Sequence, residues 1–258
     1  MFLYYPMALP HGPFTTTPLD ADAQTKSEMY QAMVRYIDHC VGRLVDALDE
    51  LRLRERTIII FTTDNGSERG FTARMAGREV RGGKATLGES GMCAPFIVNG
   101  PTIVPRGVVT DALIDFTDLF PTFVELAGAT MPDDVVIDGR SFAPLILGSA
   151  SDSPRDWIMS MGFGPARLTE RGVVPKVPFA NRVVRDKRFK LWILDGKPAK
   201  LYDLKADPAE VHDVIASTAP EVVTARKKLV AALATFPATD AAPRYHPAPP
   251  QPWDRKVE

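Results

Sequence analysis

The sequence predicts an α/β protein: part of a mostly parallel sheet flanked by helices, followed by a smaller C-terminal α+β subdomain with an antiparallel sheet. Two short apolar runs, at 56–63 and 94–101, have no alternation, which is typical of strands covered on both faces. An amphipathic helical segment precedes the first run, as in a βαβ unit. From about Ser151 the pattern alternates and turns back like a hairpin. We therefore expect domains at 1–150 and 151–236, and a tail rich in proline and alanine at 237–258.

Composition excludes several classes of protein. The 258 residues include 31 Lys and Arg against 32 Asp and Glu, a net charge of -1, so we expect no nucleic-acid partner. No apolar run is long enough for a membrane span, and no signal peptide stands at the start. Two cysteines, Cys40 and Cys93, form no disulfide framework.

The first elements follow in order from the N-terminus. The chain enters an aromatic, strand-like run, "FLYYPMALP", at its second residue, like a sequence joined partway through a domain. Ser27 can cap the first helix, whose apolar positions recur at intervals of three and four. These positions are Met33, Tyr36, Ile37, Cys40, Leu44, Ala47, Leu48 and Leu51. After the first apolar strand, residues 67–87 are rich in glycine and arginine and predict a long functional loop.

The second strand, "APFIVNGP", is followed by a helix in "DFTDLFPTFVELAG", with Thr117 or Asp118 near its cap and Gly128 as its terminator. The subdomain should contain a hairpin in "NRVVRDKRFKLWI", a strand in "AKLYDL", a helix start in "DPAE" and a helix in "PEVVTARKKLVAAL".

Polar residues stand at the ends of the apolar runs. They are His11 after the N-terminal run, Asp64 and Asn65 after "TIIIFTT", and Lys84 in "RGGKATLGESG". Taken singly, each has an ordinary explanation as a turn former or a solvated surface residue. However, the carboxyl ends of strands in open α/β sheets are also where ligands bind.

Together, these residues and their order resemble the sulfatase family, arylsulfatase type, of the alkaline-phosphatase-like superfamily. The resemblance runs from Phe2 to about Pro237, through "FLYYPMALPHGPF", "TIIIFTTDNG", "GGKATLGESGMCAPFIVNGP", "DGRSFAPLILG" and "KLYDLKADPAE". It implies a sulfuric ester hydrolase acting on a sulfate ester small molecule or a sulfated glycan. It also implies a periplasmic or secreted location.

The resemblance assigns roles to four residues. Asp64 and Asn65 would bind a divalent cation, calcium, whose flexible shell suits carboxylate and amide oxygens. Lys84 would contact the sulfate group as a compact charge. His11 would lie near the ester oxygen and donate a hydrogen bond or a proton. The matching segments also contain Asp38, Glu89 and Asp118, which helix capping and surface exposure explain adequately.

The sequence departs from the family in its N-terminal parts. The family's nucleophile is a formylglycine made from a Cys-x-Pro-Ser-Arg type motif, and no such motif is present. Cys93 begins "CAPFI", with Phe96 and Ile97 in place of Ser and Arg, and Cys40 lies in mid-helix. The paired aspartates of the first strand are also missing. We therefore expect the C-terminal part of a sulfatase, inactive alone, which could pair with a complementing N-terminal segment or form a homo-oligomer.

Two alternatives remain open from the sequence. The parent could hydrolyse phosphate or phosphonate esters, because related sites share the same use of a metal and a lysine. The chain could instead be a non-catalytic binding module on a degraded sulfatase fold.

Overall fold

The computed structural model describes residues 1–161 and 181–236, and the backbone of the short strands at 167–169 and 172–174. The predicted tail, 237–258, lies outside the described residues. The chain divides into two compact units, the first formed by Met1–Phe61 with Ile97–Gly107 and the second by Thr62–Phe96 with the residues from Val108 onward. The predicted domain boundaries stay a prediction.

The first helix, α1, spans Lys26–Glu50 and begins in a capping box. Thr25 Oγ1 accepts a hydrogen bond from Glu28 N at 3.2 Å, and the Glu28 carboxylate accepts one from Thr25 N at 2.9 Å. The predicted cap at Ser27 is therefore wrong by two residues, because the reciprocal bond with Glu28 fixes the helix start at Thr25. As predicted, the helix is amphipathic, and it buries Met33 and Ile37.

The N-terminal apolar run does not form the expected strand. Residues 1–8 have no assigned secondary structure, and four large side chains are exposed. They are Phe2, Leu3, Tyr4 and Tyr5. An extended segment needs a partner strand to satisfy its backbone, and no described strand pairs with this one.

The first predicted strand is confirmed as β1, Ile59–Thr62. The region 67–87, predicted to be a loop, contains an antiparallel hairpin of β2, Thr72–Met75, and β3, Arg78–Arg81. Its turn residues, Ala76 and Gly77, both have positive φ, as a type I′ turn requires. The hairpin escaped the sequence analysis because seven of its eight strand residues are exposed, so no buried face produces an alternating pattern.

A one-turn helix, α2, spans Glu89–Met92 and leads into β4, Phe96–Asn99, which confirms the second predicted strand. β4 pairs with β1 in a two-stranded sheet. A 3₁₀ turn then enters α3, Leu119–Leu126. The side chain that caps this segment is Asp115, which accepts from Thr117 N at 2.9 Å. Gly128 ends the helix with a φ of 64°, as predicted.

The C-terminal part holds the largest described sheet. After α4, Ala143–Ile146, four antiparallel strands pair in the order β10-β9-β8-β5. These are β5, Ile158–Met161; β8, Arg182–Arg185; β9, Phe189–Leu194; and β10, Lys197–Asp203. β6, Arg167–Thr169, and β7, Gly172–Val174, form a separate pair. The predicted hairpin and strand are confirmed.

The last described helix, α5, spans Pro220–Leu233 as predicted and packs on the sheet. Leu191, Ile193 and Leu229 lie in their shared core, with no exposed area. The predicted helix start at "DPAE" is wrong. Asp207 Oδ2 instead accepts from Val211 N at 2.7 Å in an irregular turn, so the chain does not continue as a helix. None of the helices in the described ranges has the length and apolarity to cross a bilayer.

Candidate functional site

The turn after β1 presents two oxygen donors. Thr63 Oγ1 donates to Asn65 O at 2.8 Å, and Asn65 Nδ2 donates to Gly66 O at 2.8 Å, which fixes the turn. Asp64 is exposed, and its carboxylate has no hydrogen-bond partner among the described residues. Because the Asn65 nitrogen is engaged, its Oδ1 atom is the free end of the amide. One carboxylate and one amide oxygen are therefore available for a ligand.

Lys84 lies in a second turn that is bonded to the first. Its backbone N donates to Ser67 O at 3.0 Å. Its Nζ atom is 3.7 Å from Glu68 Oε2, and the side chain is 26% exposed. The ammonium group is thus held beside the 64–68 turn by a weak ion pair and remains accessible to an anion.

Glycines allow three backbone segments to meet here. A Cβ at Gly66 would overlap the Ser90 carbonyl, and one at Gly83 would lie 2.8 Å from Gly91 N. Gly66 N donates to Gly91 O at 2.9 Å. Since no side chain fits between them, the turns at 64–68, 82–84 and 88–91 form one closely packed group.

His11 belongs to the first compact unit. It is exposed, and its Nδ1 atom lies 2.7 Å from Gly12 O, so Nδ1 carries the proton and Nε2 is the other, acceptor nitrogen. Its predicted role at the ester oxygen stays a prediction.

A buried ion-pair network supports the third segment of this group, and the sequence analysis missed it. Lys190 has no exposed area; its Nζ atom lies 3.1 Å from Glu89 Oε1 and 2.8 Å from Glu210 Oε1. Arg185 pairs with the other oxygen of Glu89. Trp192 Nε1 donates to Glu210 Oε2 at 2.8 Å. Because Glu89 begins α2, the network ties the candidate site to the C-terminal sheet.

The expectation that surface exposure explains Glu89 and Asp118 is thus wrong. Asp118 is 1% exposed and accepts a hydrogen bond from Arg155 Nε at 2.6 Å and another from Arg140 N at 2.7 Å. Both carboxylates lie where the chain folds back on itself, so their partners come from 22 to 121 residues away. No local pattern could have revealed them. Asp38 is exposed, as expected.

Cys93 is unsuited to act as a nucleophile. Desolvation and the neighbouring Glu89 carboxylate raise the pKa of its thiol. Its Sγ atom lies 3.6 Å from Glu89 Oε2. A raised pKa leaves less of the reactive thiolate at neutral pH. This agrees with the conclusion drawn from its sequence context.

These elements define an α/β protein with a candidate cation- and anion-binding site on glycine-rich turns. Residues 1–129 match the family model described as Sulfatase, and residues 83–236 match the model for the C-terminal part of N-sulphoglucosamine sulphohydrolase. The chain belongs to the sulfatase family.

Curated relatives agree with this assignment. Arylsulfatase A of Homo sapiens is 36% identical over 177 residues, covering 67% of this chain and 33% of the relative. Steryl-sulfatase of Homo sapiens is 34% identical over 145 residues, covering 54% and 25%. N-acetylgalactosamine-6-sulfatase of Canis lupus familiaris is 36% identical over 150 residues, covering 57% and 28%. The chain thus matches about a quarter to a third of the length of these relatives.

Solved structures share the fold. The crystal structure of Ps i-CgsB is 24% identical with a TM-score of 0.65, covering 87% of this chain and 48% of that one. A protein solved in complex with its substrate, D-glucosamine-2-N,6-O-disulfate, is 24% identical with a TM-score of 0.60, covering 83% and 42%. At this level of identity the likeness concerns the fold alone.

Proposed function

We propose that this chain supplies the cation- and sulfate-binding part of an arylsulfatase-type active site that hydrolyses sulfuric esters. The observation that carries the proposal is the joining of two turns within one compact unit. Lys84 N donates to Ser67 O at 3.0 Å, so the lysine is fixed on the turn that carries Asp64 and Asn65. A cation site and a sulfate-binding charge would thus share one rigid support.

The donor set fits calcium. Asp64 and the amide oxygen of Asn65 are hard oxygen ligands on adjacent residues, and Ca²⁺ takes about six to eight such ligands. In the described part of the chain, no group of three or more His, Cys, Asp or Glu residues could hold a metal. The two oxygens would therefore form part of a shell. A bound divalent cation supplies Lewis-acid charge next to the sulfate oxygens.

Lys84 and His11 would handle the ester. The Lys84 ammonium group would neutralise a sulfate oxygen, and its ion-pair partner Glu68, at 3.7 Å, can be exchanged for substrate. His11 would donate a hydrogen bond or a proton to the leaving oxygen, since an imidazole titrates near neutral pH.

The chain alone should have little activity. The motif that forms the formylglycine nucleophile is absent from its 258 residues, and removing a covalent catalyst usually removes most of the acceleration. We expect a complementing N-terminal segment, or another copy of the chain, to bind it. In the complete enzyme, β1 and β4 would continue into a mostly parallel sheet. A periplasmic or secreted location follows from the family resemblance.

Calcium titration by calorimetry tests the cation site. The Asp64→Ala variant should lose calcium affinity by at least about tenfold, since even outer partners of a metal site are worth about 10–100-fold. Asp49→Ala, which removes an exposed carboxylate from α1, is the matched control and should bind like the wild type. Equal affinity in the wild type and Asp64→Ala would reject the ligand assignment.

Complementation tests the reaction. The chain is co-expressed with the N-terminal portion of a relative that carries the Cys-x-Pro-Ser-Arg motif, and the complex is assayed with an aryl sulfate and the matching aryl phosphate. We expect sulfate hydrolysis that Lys84→Ala abolishes. Preference for the phosphate would favour a phosphate ester hydrolase. No turnover of either ester by a folded complex would favour a binding module.

A further inference from the structure

The segment 69–84 concentrates positive charge in a chain that has a net charge of -1. It contains five cationic side chains and one carboxylate, Glu79, so the remainder of the chain is net negative. The cationic residues are Arg69, Arg74, Arg78, Arg81 and Lys84. Most of them lie on the β2–β3 hairpin.

The hairpin displays these charges to solvent. Arg74 pairs with Glu79 across the strands and Arg78 pairs with Met75, so arginines stand on both faces of the ribbon. All four arginines of the segment are exposed. One of them, Arg81, has its Nε atom 3.3 Å from Glu79 Oε1, with side chains 83% and 61% exposed. A pair so exposed is weak and can be replaced by another anion.

The hairpin is joined directly to the candidate sulfate site. Gly82 N donates to Phe71 O at 2.8 Å and closes the base of the ribbon, two residues before Lys84. A strand of four residues extends about 13 Å at roughly 3.3 Å per residue. Positive charge therefore continues from Lys84 along the length of the ribbon.

We infer that the β2–β3 hairpin binds a polyanionic glycan, an oligosaccharide with sulfate or carboxylate groups on several sugars. The inference rests on the proposed function, because Lys84 would hold the sulfate that is cleaved. The arginines would hold neighbouring anionic groups of the same chain, since a guanidinium group donates paired hydrogen bonds to such oxygens. The substrate class is then a sulfated glycan rather than an isolated aryl sulfate.

Nucleic-acid binding and simple protection of strand edges account for the hairpin less well. Single-stranded nucleic acid is usually held by aromatic side chains on which bases stack, and residues 72–81 contain no aromatic residue. Charges also protect exposed strand edges from pairing with other chains. Either sign of charge serves that purpose, whereas this hairpin carries three arginines and one glutamate.

Binding of a fluorescent heparin hexasaccharide to the full chain tests the inference, measured by anisotropy at several salt concentrations. A triple variant, Arg74→Gln, Arg78→Gln and Arg81→Gln, should bind about tenfold more weakly, from three exposed contacts of about 0.5 kcal/mol each. The matched control replaces three exposed arginines of the first unit, Arg43, Arg52 and Arg56, with Gln. It should bind like the wild type.

The measurement is made in a chelating buffer, so the result does not depend on the calcium site. A failed calcium titration would therefore count against the proposed function alone. Equal loss in both triple variants, or none in the hairpin variant, would overturn the inference. Tighter binding of a single-stranded DNA of equal charge would overturn it too. Circular dichroism confirms that each variant is folded, which we expect because the replaced side chains are exposed.

Discussion

Replacing Lys190 with Met tests whether the buried ion pairs hold the C-terminal sheet to the candidate site. Lys190 has no exposed area, and Glu210 keeps 7% of its side chain exposed. Met preserves most of the aliphatic volume, so the main change is the loss of the ammonium group. Removing one partner of a buried ion pair costs about 3–5 kcal/mol, because the remaining charge stays buried. We expect the free energy of unfolding to fall by that amount.

Urea unfolding provides the assay, followed by circular dichroism and by the fluorescence of Trp192, whose indole donates to Glu210. Lys197→Met removes an exposed lysine from β10 and is the control; it should change stability by less than about 0.5 kcal/mol. Adding Glu210→Gln to Lys190→Met should recover about 1–3 kcal/mol, because it removes the unpaired carboxylate. A loss below about 1 kcal/mol in Lys190→Met would refute the reasoning, since a buried pair should cost more.

Three further predictions concern packing, pH and thiol chemistry. Gly83→Ala should destabilise the protein by about 1–3 kcal/mol in urea unfolding, because its Cβ would overlap the 90–91 backbone. Hydrogen bonds from Arg188 lower the pKa of Asp203. Its contribution to stability is therefore present above the unfolded pKa of about 4 and is lost as the pH falls through the folded pKa, so Asp203→Asn should destabilise at pH 7 but not at pH 2. Because the pKa of Cys93 is raised, iodoacetamide should alkylate it more slowly in the folded chain than in urea at pH 8.

Each of these predictions has a control within the chain. Gly42 lies inside α1, and a methyl group added there would meet open space, so Gly42→Ala should stabilise by about 0.5–1 kcal/mol. A constant effect of Asp203→Asn from pH 7 to pH 2 would contradict the assigned ion pair. The alkylation is measured in a Cys40→Ala background, and equal rates in the folded and unfolded chains would show that the thiol is not perturbed.

Local periodicity was enough to predict the elements that bury one face or both. The three- and four-residue spacing gave α1 and α5, and the unbroken apolar runs gave β1 and β4. The β2–β3 hairpin was missed because it buries almost nothing. The start of α1 was misplaced because a cap depends on which side chain forms the reciprocal bond, and Thr25 and Ser27 differ little as sequence signals.

The sequence by itself determined the family and the order of Asp64, Asn65 and Lys84, since these follow from residue types and their spacing along the chain. Only the tertiary structure decided that Lys84 and Ser67 share a backbone hydrogen bond and that Glu89 and Lys190 form a buried pair. The physical reason is that these contacts join residues 17 and 101 positions apart. Such contacts depend on how the whole chain packs, and no local propensity encodes them.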